Sequence, residues 1–327
     1  MTAWKIGEPQ KIVLEEGVTD LSVSLVAGRL NVVGSDDGPA RVEVAEIGDR
    51  PVHVEVGNGR LDVTQEFPKG WPGFLWWLFH QRFKVDVSIV VPTGAAVRLH
   101  LASGAIIASS LRNGATVDVT SGRITLLGID GPVSGRVVSG SIEGLTLGGT
   151  VAFETVSGEI VVADSTAGEV SARTISGSVT CDLDNPPAGT EVRLDTVSGE
   201  ITARVREDSD LRVSLHAISG HVVNGFPELD QHAKNTVTGR LGTGSGGHLA
   251  ASATSGTISL LRRPVDDEPP MDDEDAEPPM DDEEAMRLMG GEPPTNSEPS
   301  TSSEPQAGSR QEKQDGSPEN QEEEKTA

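Results

Sequence analysis

Nine times between Leu99 and Leu261 the chain repeats a Ser-Gly pair, once Thr-Gly, with an aliphatic residue two places after the glycine. The pairs begin at Ser103, Ser121, Ser139, Ser157, Ser176, Ser198, Ser219, Thr238 and Ser255, in steps of 17 to 22 residues. A period of that size specifies coils stacked on one another, because one coil cannot bury its apolar side chains alone. The glycines Gly104, Gly122, Gly140, Gly158, Gly177, Gly199, Gly220, Gly239 and Gly256 are read as structural turns. A sharp bend at a fixed place needs φ > 0, which glycine reaches without a Cβ penalty.

Aligned on the serine, two further columns describe a thin aliphatic core. Three residues after it stand Ile106, Ile124, Ile142, Ile160, Val179, Ile201, Val222, Leu241 and Ile258. Six before it stand Val97, Ala115, Val133, Val151, Val170, Val192, Val213, His232 and Leu249, apolar but for the histidine. Burying each aliphatic side chain contributes about 1.5–3 kcal/mol. Flanking Val, Ile and Thr favour strand over helix. The expectation is an all-β solenoid of about nine coils, which at ~4.8 Å per coil makes a rod of roughly 40 Å.

The column three residues before the serine reads His100, Asp118, Arg136, Glu154, Arg173, Asp195, His216, Asn235, Ser252, and its sign alternates from Asp118 to Asp195. If equivalent positions stack, each charge lies between two opposite ones and slipped registers are penalised. Single exposed pairs contribute little. The column is therefore a register device rather than a catalytic or ion-binding stripe.

Residues 1–94 form an N-terminal β-strand region, with period-two runs such as Leu21–Leu25, Val52–Val56 and Lys84–Val91. Ala27-Gly-Arg-Leu30 and Asn58-Gly-Arg-Leu61 resemble relaxed copies of the repeat, so this region caps or begins the solenoid carried by residues 95–263. Residues 264–327 contribute −17 of the net charge of −25 and echo Pro-Pro-Met-Asp-Asp-Glu at Pro269 and Pro278. Such a segment has little to bury, and a disordered acidic tail is expected.

No constellation for chemistry accompanies the repeat. The chain lacks a His-Glu-x-x-His motif, a nucleophile elbow, a phosphate loop and an EF-hand loop. Its carboxylates occupy repeat columns in which other coils carry Arg, Ser or His, whereas glycoside hydrolysis needs two that converge. A carbohydrate-active β-helix enzyme is thus disfavoured. A lectin is disfavoured too, because Phe153 and Phe226 are the only aromatic residues of the coils. No catalytic residue, metal site or cofactor is expected. The lone Cys181 reads as a small core hydrophobe. Acidic composition argues against nucleic acid as a partner. The first 17 residues hold no apolar stretch of signal-peptide length, so a cytoplasmic location is expected, with peripheral membrane association as an extension.

Seven of the ten aromatic residues fall between Phe67 and Phe83, with Lys69, Arg82 and Lys84 alongside and no acid from Lys69 to Lys84. Trp71, Phe74, Trp76, Trp77, Phe79, Arg82 and Phe83 are the candidate contact residues. Three readings fit: a plug that covers an open end of the solenoid, a docking site for a protein partner, or a shallow membrane contact.

The run from Val90 to Gly104, with Thr-Val-Ser-Gly-Glu-Ile at Thr155 and again at Thr196, resembles the bacterial putative-adhesin family of β-strand-repeat proteins. That family is similar to the toastrack domains associated with envelope-stress proteins. The resemblance covers about residues 18–261 and implies a right-handed β-solenoid. It carries over no catalytic residue, because the shared motif is structural. The expected function is a non-enzymatic interaction scaffold linked to the cell envelope or its stress response. A surface adhesin exported by an unrecognised route is the alternative.

Overall fold

The computed structural model describes residues 2–65, 84–183 and 188–264, and its regular elements are all strands. Alternation sets the shape of each coil. In the coil of Ser139, Val133, Gly135 and Val137 point inward, Val138 and Ser139 both face out, and Ile142 and Gly144 return to the interior. Two consecutive outward residues mark a corner, so each repeat is one long strand bent at its Ser-Gly pair.

The strands that form whole coils are β3 (Asp20–Gly34), β8 (Ala96–Leu111), β9 (Ala115–Ile129), β10 (Val133–Leu147), β11 (Thr150–Ala163), β12 (Glu169–Leu183), β13 (Thr190–Arg206), β14 (Leu211–Asn224) and β17 (Gly247–Arg263). They stack in parallel, serine on serine and glycine on glycine, in the order β3, β8 to β13, β17, β14. In β3 the serine position is held by Ala27, which stacks on Ser103. The corner glycines have φ between 131° and 153°. A Cβ on Gly158 would also collide with the carbonyl oxygen of Gly140 in the adjacent coil. Glycine is required there twice, for its φ and for the close approach of neighbouring backbones.

Two expectations about the repeat are corrected. Stack order is not chain order, since β17 slides between β13 and β14. Thr238-Gly239 is not a coil corner. It lies in β16 (Thr236–Leu241), which runs antiparallel to β14 with Gly239 opposite Val213, so Gly239 stands outside the glycine column. The two-residue connection from β15 (Asp230–Ala233) is the cause: it closes a hairpin and cannot carry the chain around the rod to a parallel position. Among the described residues nine single strands still form whole coils, because β3 takes the place assigned to β16, and the N-terminal region adds a tenth coil split between two strands.

The N-terminal region both begins and caps the stack. β6 (Arg60–Gln65) lies on Asp20–Ser24 and β7 (Lys84–Val91) on Ala27–Gly34, so the two are halves of one further coil. β4 (Arg41–Ile47) and β5 (Val52–Gly57) pair antiparallel with β7 and β6, and β2 (Gln10–Val13) and β1 (Thr2–Ile6) extend them. Ala27-Gly28 is a true corner of the column. Asn58-Gly59 instead forms the β5–β6 hairpin turn, with φ of 55° and 77°, as an Asn-Gly pair between strands favours.

One continuous aliphatic core runs from Ile6 to Leu260, so segments 1–94 and 95–263 share a sheet and an interior. Phe153 enters that core where Gly135 and Gly144 of the adjacent coil leave room. A Cβ at either position would lie 3.0 Å or 2.7 Å from its ring. The charged column forms the expected ladder: Arg136 reaches Asp118 at 3.7 Å and Glu154 at 3.1 Å, and Arg173 reaches Asp195 at 3.5 Å and Glu154 at 4.0 Å. The acidic tail lies outside the described residues.

Candidate interaction site

The aromatic-basic segment is spliced into the stack at a defined point. Thr64 near the end of β6 sits opposite Ser24, and Lys84 at the start of β7 sits opposite Ala27, so the interruption falls at the corner column of that coil. Trp71, Phe74, Trp76, Trp77, Phe79, Arg82 and Phe83 themselves lie outside the described residues. On the near side Gln65 is buried, accepts a hydrogen bond from the Val26 amide (3.2 Å) and donates one to the Arg50 carbonyl (3.4 Å). Gln65 thus bridges two chain segments at the departure point. Beside it an open groove of about 490 Å³ is lined by Gly28, Arg29, Glu46, Lys84, Asp86 and Gly104, with Arg29 and Asp86 paired at 3.3 Å.

A second surface feature is absent from the sequence-based reading. The residue immediately before the corner serine points outward, and in four successive coils it is Val138, Val156, Ile175 and Val197, exposed by 47, 45, 51 and 49%. Ile218, 65% exposed, continues the column beyond Thr254 of β17. One place earlier, Thr155, Thr174 and Thr196 point into the core with Oγ1 atoms that have no hydrogen-bond partner. Three coils therefore carry a threonine inside and a Val or Ile outside. The signal was available in the sequence as a Thr-Val or Thr-Ile pair out of phase with the alternation.

The acids of the coils do not converge. Asp118, Glu154 and Asp195 are members of one column, and Glu159 stacks on Ser178 as Ser178 does on Glu200. Two other carboxylates staple loops. Asp210 accepts hydrogen bonds from the hydroxyls of Thr243 and Ser245 and from the amides of Gly244 and Ser245, and the Thr243 bond leads in holding its carboxyl below the usual range. Asp36 is held down likewise, first by the Thr93 hydroxyl and amide. The His216 Nδ1 lies 3.1 Å from Thr236 Oγ1 at the antiparallel end. Burial pushes the Cys181 thiol up to about 12, which keeps it protonated and inert. Among the described residues no cluster of three or more His, Cys, Asp or Glu is arranged to hold a metal ion, and no helix is long and apolar enough to cross a membrane.

The family model described as Toastrack DUF4097 matches residues 22–261. Among solved structures the chain is similar to one described as a putative adhesin from Bacteroides fragilis, at 13% identity, covering 78% of this chain and 98% of that one with a TM-score of 0.44. It is also similar to a putative cell adhesion protein from Clostridium sporogenes, at 14% identity, with 78% and 100% covered and a TM-score of 0.29. A putative lipid binding protein from Parabacteroides distasonis matches at 13% identity, with 78% and 97% covered and a TM-score of 0.26. No curated protein matches the chain.

Proposed function

Because this chain belongs to the Toastrack DUF4097 family, with its all-β stack of long parallel strands, we propose that it is a non-enzymatic interaction scaffold of the cell envelope or its stress response. Its contact with a protein partner is made by the segment 67–83. One observation carries this reading: seven of the ten aromatic residues and a run without acids are concentrated in a single segment, inserted at one coil corner. β6 and β7 keep their pairing on β3 on either side of it, so the stack does not need the segment for its register.

The test is Trp76→Ala with Trp77→Ala in the full chain. Crosslinking and capture in the native cell should lose the partner by on the order of tenfold or more, as truncation of aromatic anchors does. Circular dichroism and the melting temperature should stay unchanged. Capture unaffected by the double substitution would overturn the proposal. Loss of binding to anionic vesicles alone would transfer the segment to a peripheral membrane role, and protease shaving of intact cells that removes the chain would favour the surface adhesin.

A further inference from the structure

The geometry points to a homotypic interface: two copies of this chain pack antiparallel through the Val138, Val156, Ile175, Val197 stripe, about a two-fold axis that passes between β11 and β12. The stripe first has to be explained. In β11, β12 and β13 the inward position holds Thr155, Thr174 and Thr196 with unpartnered hydroxyls, and the outward position holds Val156, Ile175 and Val197. Exchanging each pair would bury the aliphatic group and solvate the hydroxyl, so the order present opposes folding stability on both counts. The β9 coil shows the ordinary order, with Val119 buried and Thr120 exposed. An aliphatic column held outward against the folding preference fits a surface that is covered by something.

The neighbouring columns say what covers it. On the same outward face, two residues earlier, stand Arg136, Glu154, Arg173 and Asp195, one per coil in the same four coils. The alternating run has five members from Asp118, and its last four, Arg136 to Asp195, are self-complementary when reversed, while Asp118 of β9 comes opposite the second copy's uncharged Ser252 of β17. With the axis between β11 and β12, Glu154 faces the second copy's Arg173 and Arg136 faces its Asp195. The same operation sets Val156 against the second copy's Ile175 and Val138 against its Val197. The centre of the apolar stripe and the centre of the alternating charges therefore coincide. A rotation axis along the rod would lose this match, because it sets the charged column against the serine corner. The column on its far side is small in three of the four coils, at Ser134, Ala152 and Ser171; in β13 it holds Arg193, which pairs with Asp195 of its own coil at 2.9 Å and faces the second copy's Ser134.

Size limits the strength. Five residues across at ~3.3 Å and four coils at ~4.8 Å give about 300 Å² per copy, or about 600 Å² in all, below the usual lower bound of about 1,000 Å² for a stable specific interface, so the contact is a weak one. The half-exposed charges fix register and orientation more than affinity. A reversible dimer follows, populated at high concentration.

Sedimentation velocity of the full chain at physiological salt, from about 5 to about 500 μM, should show a shift from the mass of one chain towards that of two. Val156→Ser with Ile175→Ser, both exposed, should move that shift at least about tenfold higher in concentration without altering the melting temperature. Orientation is read by disulfide trapping. A mixture of Val156→Cys and Ile175→Cys chains should form the mixed disulfide faster than either forms its own, and Val138→Cys with Val197→Cys should do the same. Cys181 is fully buried and supplies no background. A chain monomeric throughout, a dimer indifferent to the serine variant, or trapping without preference for the mixed pairs overturns the proposal. Trp76→Ala with Trp77→Ala should leave the dimer intact, which separates this interface from the contact made by 67–83.

Discussion

Thr174→Val should stabilise the protein although it deletes a polar group. Thr174 is the middle of three stacked threonines, with Thr155 on one side and Thr196 on the other, and its Oγ1 has no partner in the core. A buried hydroxyl without a hydrogen bond costs about 1–3 kcal/mol, and the methyl that replaces it adds up to ~0.8 kcal/mol of burial. Valine also fits the site, since Val119 and Val137 occupy the same column in nearby coils. After allowance for local repacking the single variant should gain about 1 kcal/mol, and the triple variant with Thr155→Val and Thr196→Val about 3 kcal/mol, with some coupling because the three sites touch. Urea denaturation is the assay. For an m-value of about 3 kcal/mol/M the midpoint should rise by ~0.3 M for the single and ~1 M for the triple variant at unchanged slope. A midpoint that falls would show that the hydroxyls are bonded in solution, and the argument from inverted polarity would fail with it.

Gly158→Ala should cost about 3 kcal/mol or more, because it combines a forbidden φ with a clash against the Gly140 carbonyl; a midpoint shift under about 0.3 M in urea would contradict this. Asp210 and Asp36 have carboxyl pKa values lowered in the folded state, so the stability they contribute is present above their ordinary value of 3.8 and is lost as pH falls through the folded value. Hydrogen-exchange protection at Gly244 and Ser245, measured against the rate of an unstructured amide at the same pH, should fall in that acid range, and Asp210→Ala should show the loss of protection already at neutral pH. For Cys181 the sign is opposite in direction: its contribution is intact below about 9, the ordinary thiol value, and is lost as pH rises towards about 12. A thiol reagent at pH 8 should therefore label the native chain on the order of a thousandfold more slowly than the urea-denatured chain, and comparable rates would refute the burial.

The repeat made the coil legible before any coordinate. The serine spacing located eight of the nine corner glycines, and the charged column announced its own ladder, because a stacked solenoid converts a one-dimensional period directly into contacts. Gly239 escaped this logic. Its local sequence is a good copy of the motif, but the short hairpin before it imposes an antiparallel direction, and direction depends on the preceding connection rather than on the motif. The candidate contact segment was visible as composition alone, and its point of insertion became clear only when β6 and β7 were seen to be halves of one coil.

What the sequence determined by itself is therefore the period, the corner and the two-sided alternation, since these rest on local backbone sterics and on which side chains can be buried. The tertiary structure decided which coils are neighbours, placing β17 between β13 and β14 and making β3 the partner of β8. It also decided that in β11, β12 and β13 the aliphatic residue before the serine faces solvent while the threonine beside it faces the core. The register of a strand is set by all its neighbours together. A residue whose own preference is inward is carried outward when the rest of the coil has already fixed which face is buried.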